Sequence, residues 1–379
     1  KKRSKYCKMT TDDRKCDVLM VGCGCPLRSM GWYHAEQLLD NRCPSAQLRY
    51  VVEPWYMQKA AMNTPGWSEF EAWKERVSKD YGVQFYARVD QVPSIKEDGS
   101  ELRMGILSAR TADNPSLFAQ MVSKCHTIYL EKPGAPSVEE LVQMRDMAEA
   151  ANVSVYMGFN KNVAKYSTKT MEYAGDRGQI TFVHNNNYQL ADLPECFERN
   201  AEGMLKNMAI HELALLVTFF GVSVSTIDEV QSDAAKSSCQ TLKGPASGKD
   251  FTDFDKIYFT ITTQNGVKIS VFADRCAGDD SVGIIYDENN NVVKQFCMPD
   301  EDDVQQSIPA LAKKYPGAMP YFYVQDPDYC ALKERIAQQC VSGTSPQGVA
   351  TIDIAIETLK VAEYLTPILQ EQLLSEVAI

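Results

Sequence analysis

Thr127-Ile128-Tyr129-Leu130-Glu131-Lys132-Pro133-Gly134 is a short apolar run closed by an acid, a base and a turn pair. The apolar residues predict a buried strand, and proline stiffens the backbone that leaves it. Such an ending places the Lys132 ammonium at the carboxyl edge of a sheet, where open α/β sheets bind ligands. A lysine fixed there polarises a hydroxyl or carbonyl group. Taken alone, Glu-Lys-Pro is also an ordinary exposed turn, so its meaning rests on its neighbours.

Upstream, apolar runs alternate with helical stretches, as in a parallel α/β domain. Asp17–Val21 reads as a first strand, Gly31–Leu39 as a helix, and Gln47–Val52 as a second strand ending at Glu53. Met57–Tyr81 is helix-like with a break at Pro65-Gly66, and Arg103–Leu107, His126–Leu130 and Val153–Met157 are further strands. Ser137 is a good N-cap for the helix that follows the Lys-Pro turn, with Glu139 and Glu140 in its first turn.

Beyond Gly158 the pattern changes. Asn162–Tyr173 reads as a helix, and strand candidates then cluster at Ile180–Gln189, Lys256–Thr263, Val267–Ala273, Gly283–Asp287 and Val292–Phe296. Gln264-Asn265-Gly266 joins two of them as a hairpin. Asp233–Asp253 is polar and reads as a long surface loop. The expected fold is therefore α/β plus α+β: a Rossmann parallel sheet over 14–158 and an open, mostly antiparallel sheet domain over 159–347. A last helix, 348–373, is expected to pack back on the first domain.

The first strand runs into Gly22-Cys23-Gly24, with Gly31 opening the next helix. Glycines at such a turn admit a pyrophosphate to the backbone, its charge on the helix N-terminus. Six residues, Cys25 to Met30, separate Gly24 from Gly31 where the usual fingerprint has two. Arg28 in that loop reaches a phosphate or is simply solvated. Glu53 at the end of the second strand suits the ribose hydroxyls and repels a 2'-phosphate, which favours NAD over NADP.

The whole chain of 379 residues suffices for two domains of roughly 150 residues each. A net charge of -11 argues against nucleic-acid or anionic-membrane partners. No apolar run approaches the roughly 20 residues that span a bilayer. The basic, polar start, Lys1 to Lys15, lacks the apolar core of a secretory signal. The expectation is an intracellular, cytoplasmic protein, or an organellar one if a targeting segment was removed upstream. Twelve scattered cysteines without a Cys-x-x-Cys pair, and only four histidines, predict reduced thiols and no metal site.

In order, Gly22-x-Gly24, Gly31-x-x-His34, Glu131-Lys132-Pro133-Gly134, Gly158-Phe159-Asn160-Lys161 and Asn207-x-x-x-His211 resemble the glucose–fructose oxidoreductase / inositol dehydrogenase (Gfo/Idh/MocA) family. The resemblance covers nearly the whole chain. It implies hydride exchange between a nicotinamide and a sugar, cyclitol or related alcohol, and a homodimer or homotetramer formed through the open sheet. Lys132 matches the family's catalytic lysine and His211 its general base. Gly22, Gly24, Gly31, His34, Glu53, Glu131 and Pro133 fall on the cofactor side, and Asn160 and Lys161 on the substrate side. Asn207 stands where the family commonly has Asp, four residues before the histidine and so expected on the same helical face. A neutral amide there leaves His211 less basic than in relatives that carry the acid.

Lys161, Lys165 and Lys206 make an anionic substrate plausible if they face the cleft; otherwise they are solvated cations. Two other functions fit the same pattern: NAD-dependent glycoside hydrolysis with no net redox change, and a non-catalytic binding or assembly protein derived from the family.

Overall fold

The first strand, Cys16-Asp-Val-Leu-Met-Val21, buries five of its six residues because both faces of a parallel sheet are covered by helices. A computed structural model of the chain describes residues 14–96, 98–175 and 179–376. The reading of the chain start lies mostly outside them.

The chain divides into two units. One comprises the chain up to Glu131 with Gln143–Tyr156 and Tyr329–Val349; the other comprises Lys132–Val142, Met157–Asp328 and the chain from Ala350 onward. In the first half the elements run β1 (Cys16–Val21), α1 (Met30–Leu39), β2 (Ala46–Val52), α2 (Trp67–Tyr81), β3 (Gln84–Tyr86), β4 (Arg103–Leu107), α3 (Asn114–Met121), β5 (Thr127–Leu130), α4 (Val138–Ala150) and β6 (Ser154–Met157). The sheet has six strands in the order β3-β2-β1-β4-β5-β6. All along β1 and β4 the strands run parallel, but the order in which strands are added reverses between them, and there the β1–α1 turn emerges. Ser137 caps α4 as expected: its Oγ accepts from the Glu140 N–H at 3.2 Å and donates to the Glu140 carboxylate at 3.0 Å.

The second half contains α5 (Lys165–Ala174), β7 (Gln179–Asn185), α6 (Leu193–Arg199), α7 (Met204–Asn207), α8 (Ile210–Phe220), β8 (Ile227–Ser232), β9 (Ser238–Lys243), β10 (Asp250–Thr263), β11 (Lys268–Asp274), β12 (Ser281–Tyr286), β13 (Val292–Met298), α9 (Ile308–Lys314), α10 (Pro320–Ser342) and α11 (Ile352–Glu376). Its seven strands form a mixed, mostly antiparallel sheet in the order β13-β12-β7-β11-β10-β8, with β9 on β10. Gly266, at φ 83°, makes the predicted hairpin between β10 and β11. One face of the sheet buries Ile257, Phe259, Ile261, Ile269 and Val271 beneath helices. The other carries Tyr258, Phe272, Val183 and Val282 in one cross-strand row.

Two expectations are corrected. Asp233–Asp253 is not one long loop: β9 pairs with the extended first half of β10, and Thr241 and Thr252 join their hydroxyls across it at 2.7 Å. Its polar side chains hid a strand in which no residue is fully buried. The last helix, α11, belongs to the second unit and packs on α7, α8 and β8, whereas the end of α10, from Tyr329, belongs to the first. The apolar stripe of α11 (Ile356, Leu359, Leu365, Leu369) is long enough to serve the second core.

Candidate functional site

In the first unit the β1–α1 turn is tight and depends on its glycines. Gly22 sits at φ 81°, and a Cβ there would lie 2.8 Å from the Ala109 backbone. A Cβ on Gly31 would lie 2.2 Å from the Gly22 carbonyl oxygen, so helix α1 packs directly on the turn. The loop between them folds on itself. Ser29 Oγ accepts the Cys25 N–H at 2.9 Å, and Leu27 adopts φ 66°. Arg28 is exposed at its tip.

Glu53 turns into this loop. One carboxylate oxygen accepts the Gly24 N–H at 2.8 Å and the Cys23 thiol at 3.5 Å; the other accepts the Trp55 and Tyr56 N–H groups at 3.0 and 3.4 Å. Burial, then the Glu53 charge, pushes the Cys23 thiol well above its usual range, so it lacks the thiolate that redox chemistry needs.

Glu131 and His34 meet in a buried chain of hydrogen bonds. Glu131 Oε1 lies 2.8 Å from His34 Nε2 and accepts the Tyr129 hydroxyl at 2.5 Å. His34 Nδ1 lies 2.9 Å from Lys333 Nζ, which also reaches Gln37 and the Tyr329 carbonyl. Burial and the Lys333 charge lower His34 to about 4, so the ring is neutral. An ammonium only donates, so Nδ1 accepts and the proton sits on Nε2, aimed at Glu131. Lys333 was not anticipated, because it lies 299 residues from His34.

The second unit brings Lys132, Lys161, His184, His211 and Glu212 together. Lys132 lies just past the strand end and is joined to Pro133 by a cis bond, and its ammonium donates to the Asn207 backbone carbonyl at 3.0 Å. Asn207 and His211 do not share one helix. The chain breaks at Met208-Ala209, where the Ala209 N–H reaches back to the Met204 carbonyl, and the Asn207 side chain instead donates to Glu202 at 2.8 Å. What Asn207 offers Lys132 is its backbone.

His211 lies in the first turn of α8, only 5% exposed, with the Phe159 ring edge-on at 6.0 Å. Its Nδ1 has no hydrogen-bond partner among the described residues. Burial first, then the charges of Lys132 and Lys161, hold it well below the usual histidine range, so the imidazole is neutral.

Glu212, fully buried in the otherwise apolar start of α8, anchors the cluster. It takes the Lys161 ammonium at 2.6 Å on one oxygen and His184 Nδ1 at 2.9 Å on the other. Burial opposes its charge, yet His184 and Lys161 hold it at about 2. Lys161 is 1% exposed and donates also to Ser281 Oγ at 2.8 Å. Its ammonium is thus committed within the protein. Asn160 is buried, donates to Gln325 at 3.3 Å, and keeps its Oδ1 without a partner. Lys165 faces Asp300 at 3.7 Å, and Lys206 pairs with Glu363 at 2.8 Å. Glu212 and His184 were missed; a lone acid inside Ile-His-Glu-Leu-Ala-Leu-Leu was the available signal.

Among the described residues no group of three or more His, Cys, Asp or Glu could hold a metal ion, and no helix is long and apolar enough to cross a membrane.

A β3-β2-β1-β4-β5-β6 parallel sheet in one unit and an open mixed sheet in the other make a fold that several solved structures share. No family model matches the chain, and no curated protein matches its sequence. Solved structures do. A probable dehydrogenase from Thermotoga maritima aligns over 95% of this chain and 97% of its own, with a TM-score of 0.66 and 15% identity. A myo-inositol dehydrogenase from Corynebacterium glutamicum aligns over 92% and 95%, with a TM-score of 0.63 and 16% identity. GenD2 from gentamicin A biosynthesis, solved in complex with NAD, aligns over 92% and 93%, at 0.64 and 16%.

Proposed function

We propose that the chain is an NAD(H)-dependent oxidoreductase that acts on a hydroxyl or carbonyl of a sugar-like or cyclitol substrate. The observation that carries this reading is His211: a buried, neutral imidazole with one nitrogen unpartnered, within the field of two lysines. A neutral ring accepts a hydroxyl proton, and nearby ammonium charge stabilises the alkoxide that results. Lys132 supplies that charge at the substrate; Lys161, tied to Glu212, supplies it from behind.

The glycines at Gly22 and Gly24, with α1 packed on the turn through Gly31, are of the kind that brings a backbone close to the pyrophosphate of a dinucleotide, and Glu53 ends the second strand beside it. The nicotinamide, when bound, supplies the hydride acceptor or donor. Glu131, oriented by His34 and Tyr129, fixes the strand end from which Lys132 departs. Supporting the substrate class, structures of similar fold include inositol dehydrogenases. A second copy of the chain is the proposed cover for the open sheet row of Tyr258, Phe272 and Val282.

Replacing Lys132 with Met tests the reading. Turnover should fall by roughly a hundredfold or more while NADH binding is retained. Unchanged turnover would sink the assignment.

A further inference from the structure

We infer that Glu53 is a latch on the phosphate loop rather than a ribose acceptor, and that a dinucleotide binds by displacing it. This rests on the cofactor reading above. A carboxylate offers about four acceptor positions. Four donors already approach Glu53: the N–H groups of Gly24, Trp55 and Tyr56 and the Cys23 thiol. At 4% exposure it presents almost nothing to solvent. A ribose diol would find no free lone pair there.

The same contacts shut the loop to phosphate. In a glycine turn the backbone N–H groups are what bind the anion. Here the Gly24 N–H is held by a carboxylate, a charge-assisted bond, and the Cys25 N–H by Ser29 Oγ. Ser29 precedes α1 at its N-cap position, yet its hydroxyl serves the loop and not the helix. The longer spacing between Gly24 and Gly31 provides the residues for this closure. The covering is continued from the other side. A Cβ on Gly66 would lie 2.6 Å from Cys25 Sγ and 2.7 Å from the Tyr56 hydroxyl, so the segment after β2 rests against the loop. The acid that ordinarily rewards the adenosine end of NAD here competes with its pyrophosphate for the same amide.

The two roles predict opposite signs for one substitution. Glu53→Gln keeps one oxygen for Trp55 and Tyr56 but presents no second acceptor to Gly24. NADH affinity, measured by calorimetry or by nicotinamide fluorescence on the full chain, should rise at least threefold. Ser29→Ala, which frees the Cys25 N–H, should move it the same way and carries the test if Glu53→Gln fails to fold. NADPH should gain more than NADH from Glu53→Gln, since a charge that repels its 2'-phosphate is removed. Weaker or unchanged NADH binding by both variants, with measurable binding by the parent chain, overturns the latch and leaves the cofactor reading standing. No NADH binding by the parent chain or either variant overturns both.

Discussion

The Lys161 ammonium lies 2.6 Å from the Glu212 carboxylate, with neither side chain more than 1% exposed. Removing one member of such a pair strands a buried charge, which costs about 3–5 kcal/mol. Lys161→Met should therefore lower unfolding free energy by about that amount in chemical denaturation. A double variant that also replaces Glu212 with Gln should recover part of the loss, because the stranded charge goes with it. An additive double variant would show that the two groups act separately.

Acid should destabilise the fold in two steps. His34, His184 and His211 are all held low by burial, so the unfolded chain takes up protons near pH 6.5 that the folded chain refuses. Their contribution is present above that pH and is lost as pH falls below it. His34, lowered to about 4, accounts for roughly 3 kcal/mol of that loss by the time pH reaches its folded value. Glu212, held at about 2, adds a second loss as pH falls through the ordinary carboxylate range near 4.5. Melting temperature against pH reads both steps, and His34→Gln should flatten the first.

The pH profile of turnover follows the same chemistry. In the proposed reaction, alcohol oxidation needs a neutral His211, and that form persists below pH 6.5 because the folded ring resists protonation. The acidic limb of kcat/KM should lie below the usual histidine range. His211→Asn should abolish that limb and slow turnover by roughly a hundredfold or more. A limb at or above 6.5 that survives in His211→Asn would assign the base elsewhere.

Gly31→Ala tests how closely α1 rests on the Gly22 turn. The added methyl would meet the Gly22 carbonyl oxygen at 2.2 Å, a backbone atom that cannot rotate away. A loss of about 1–3 kcal/mol is expected, seen as a lower melting temperature.

Local signals carried the fold a long way. The strand ending at Leu130, the glycine turn after Val21 and the acid after Val52 are each read from a few adjacent residues, and each stands on its expected element. The Asn207–His211 spacing misled because four residues share a face only if the helix is unbroken, and Met208-Ala209 interrupts it. Strand β9 was hidden because it buries no residue fully, which removes the alternation that marks a strand. Glu53 shows a subtler limit. Its place at a strand end was legible, but the four donors that converge on it come from turns whose geometry no periodicity records. The Lys333–His34–Glu131 chain is long-range in sequence and was invisible for that reason.

The most direct test of the central claim is turnover itself. Purified chain with NAD+ is offered a panel of inositols and aldoses, and reduced nicotinamide is followed by its near-ultraviolet absorbance, in parallel with the His211→Asn and Lys132→Met variants. The account predicts net reduction of the nicotinamide with at least one polyol, lost in both variants while NADH binding persists. Absence of NADH binding, or equal turnover by the parent chain and both variants, would contradict it.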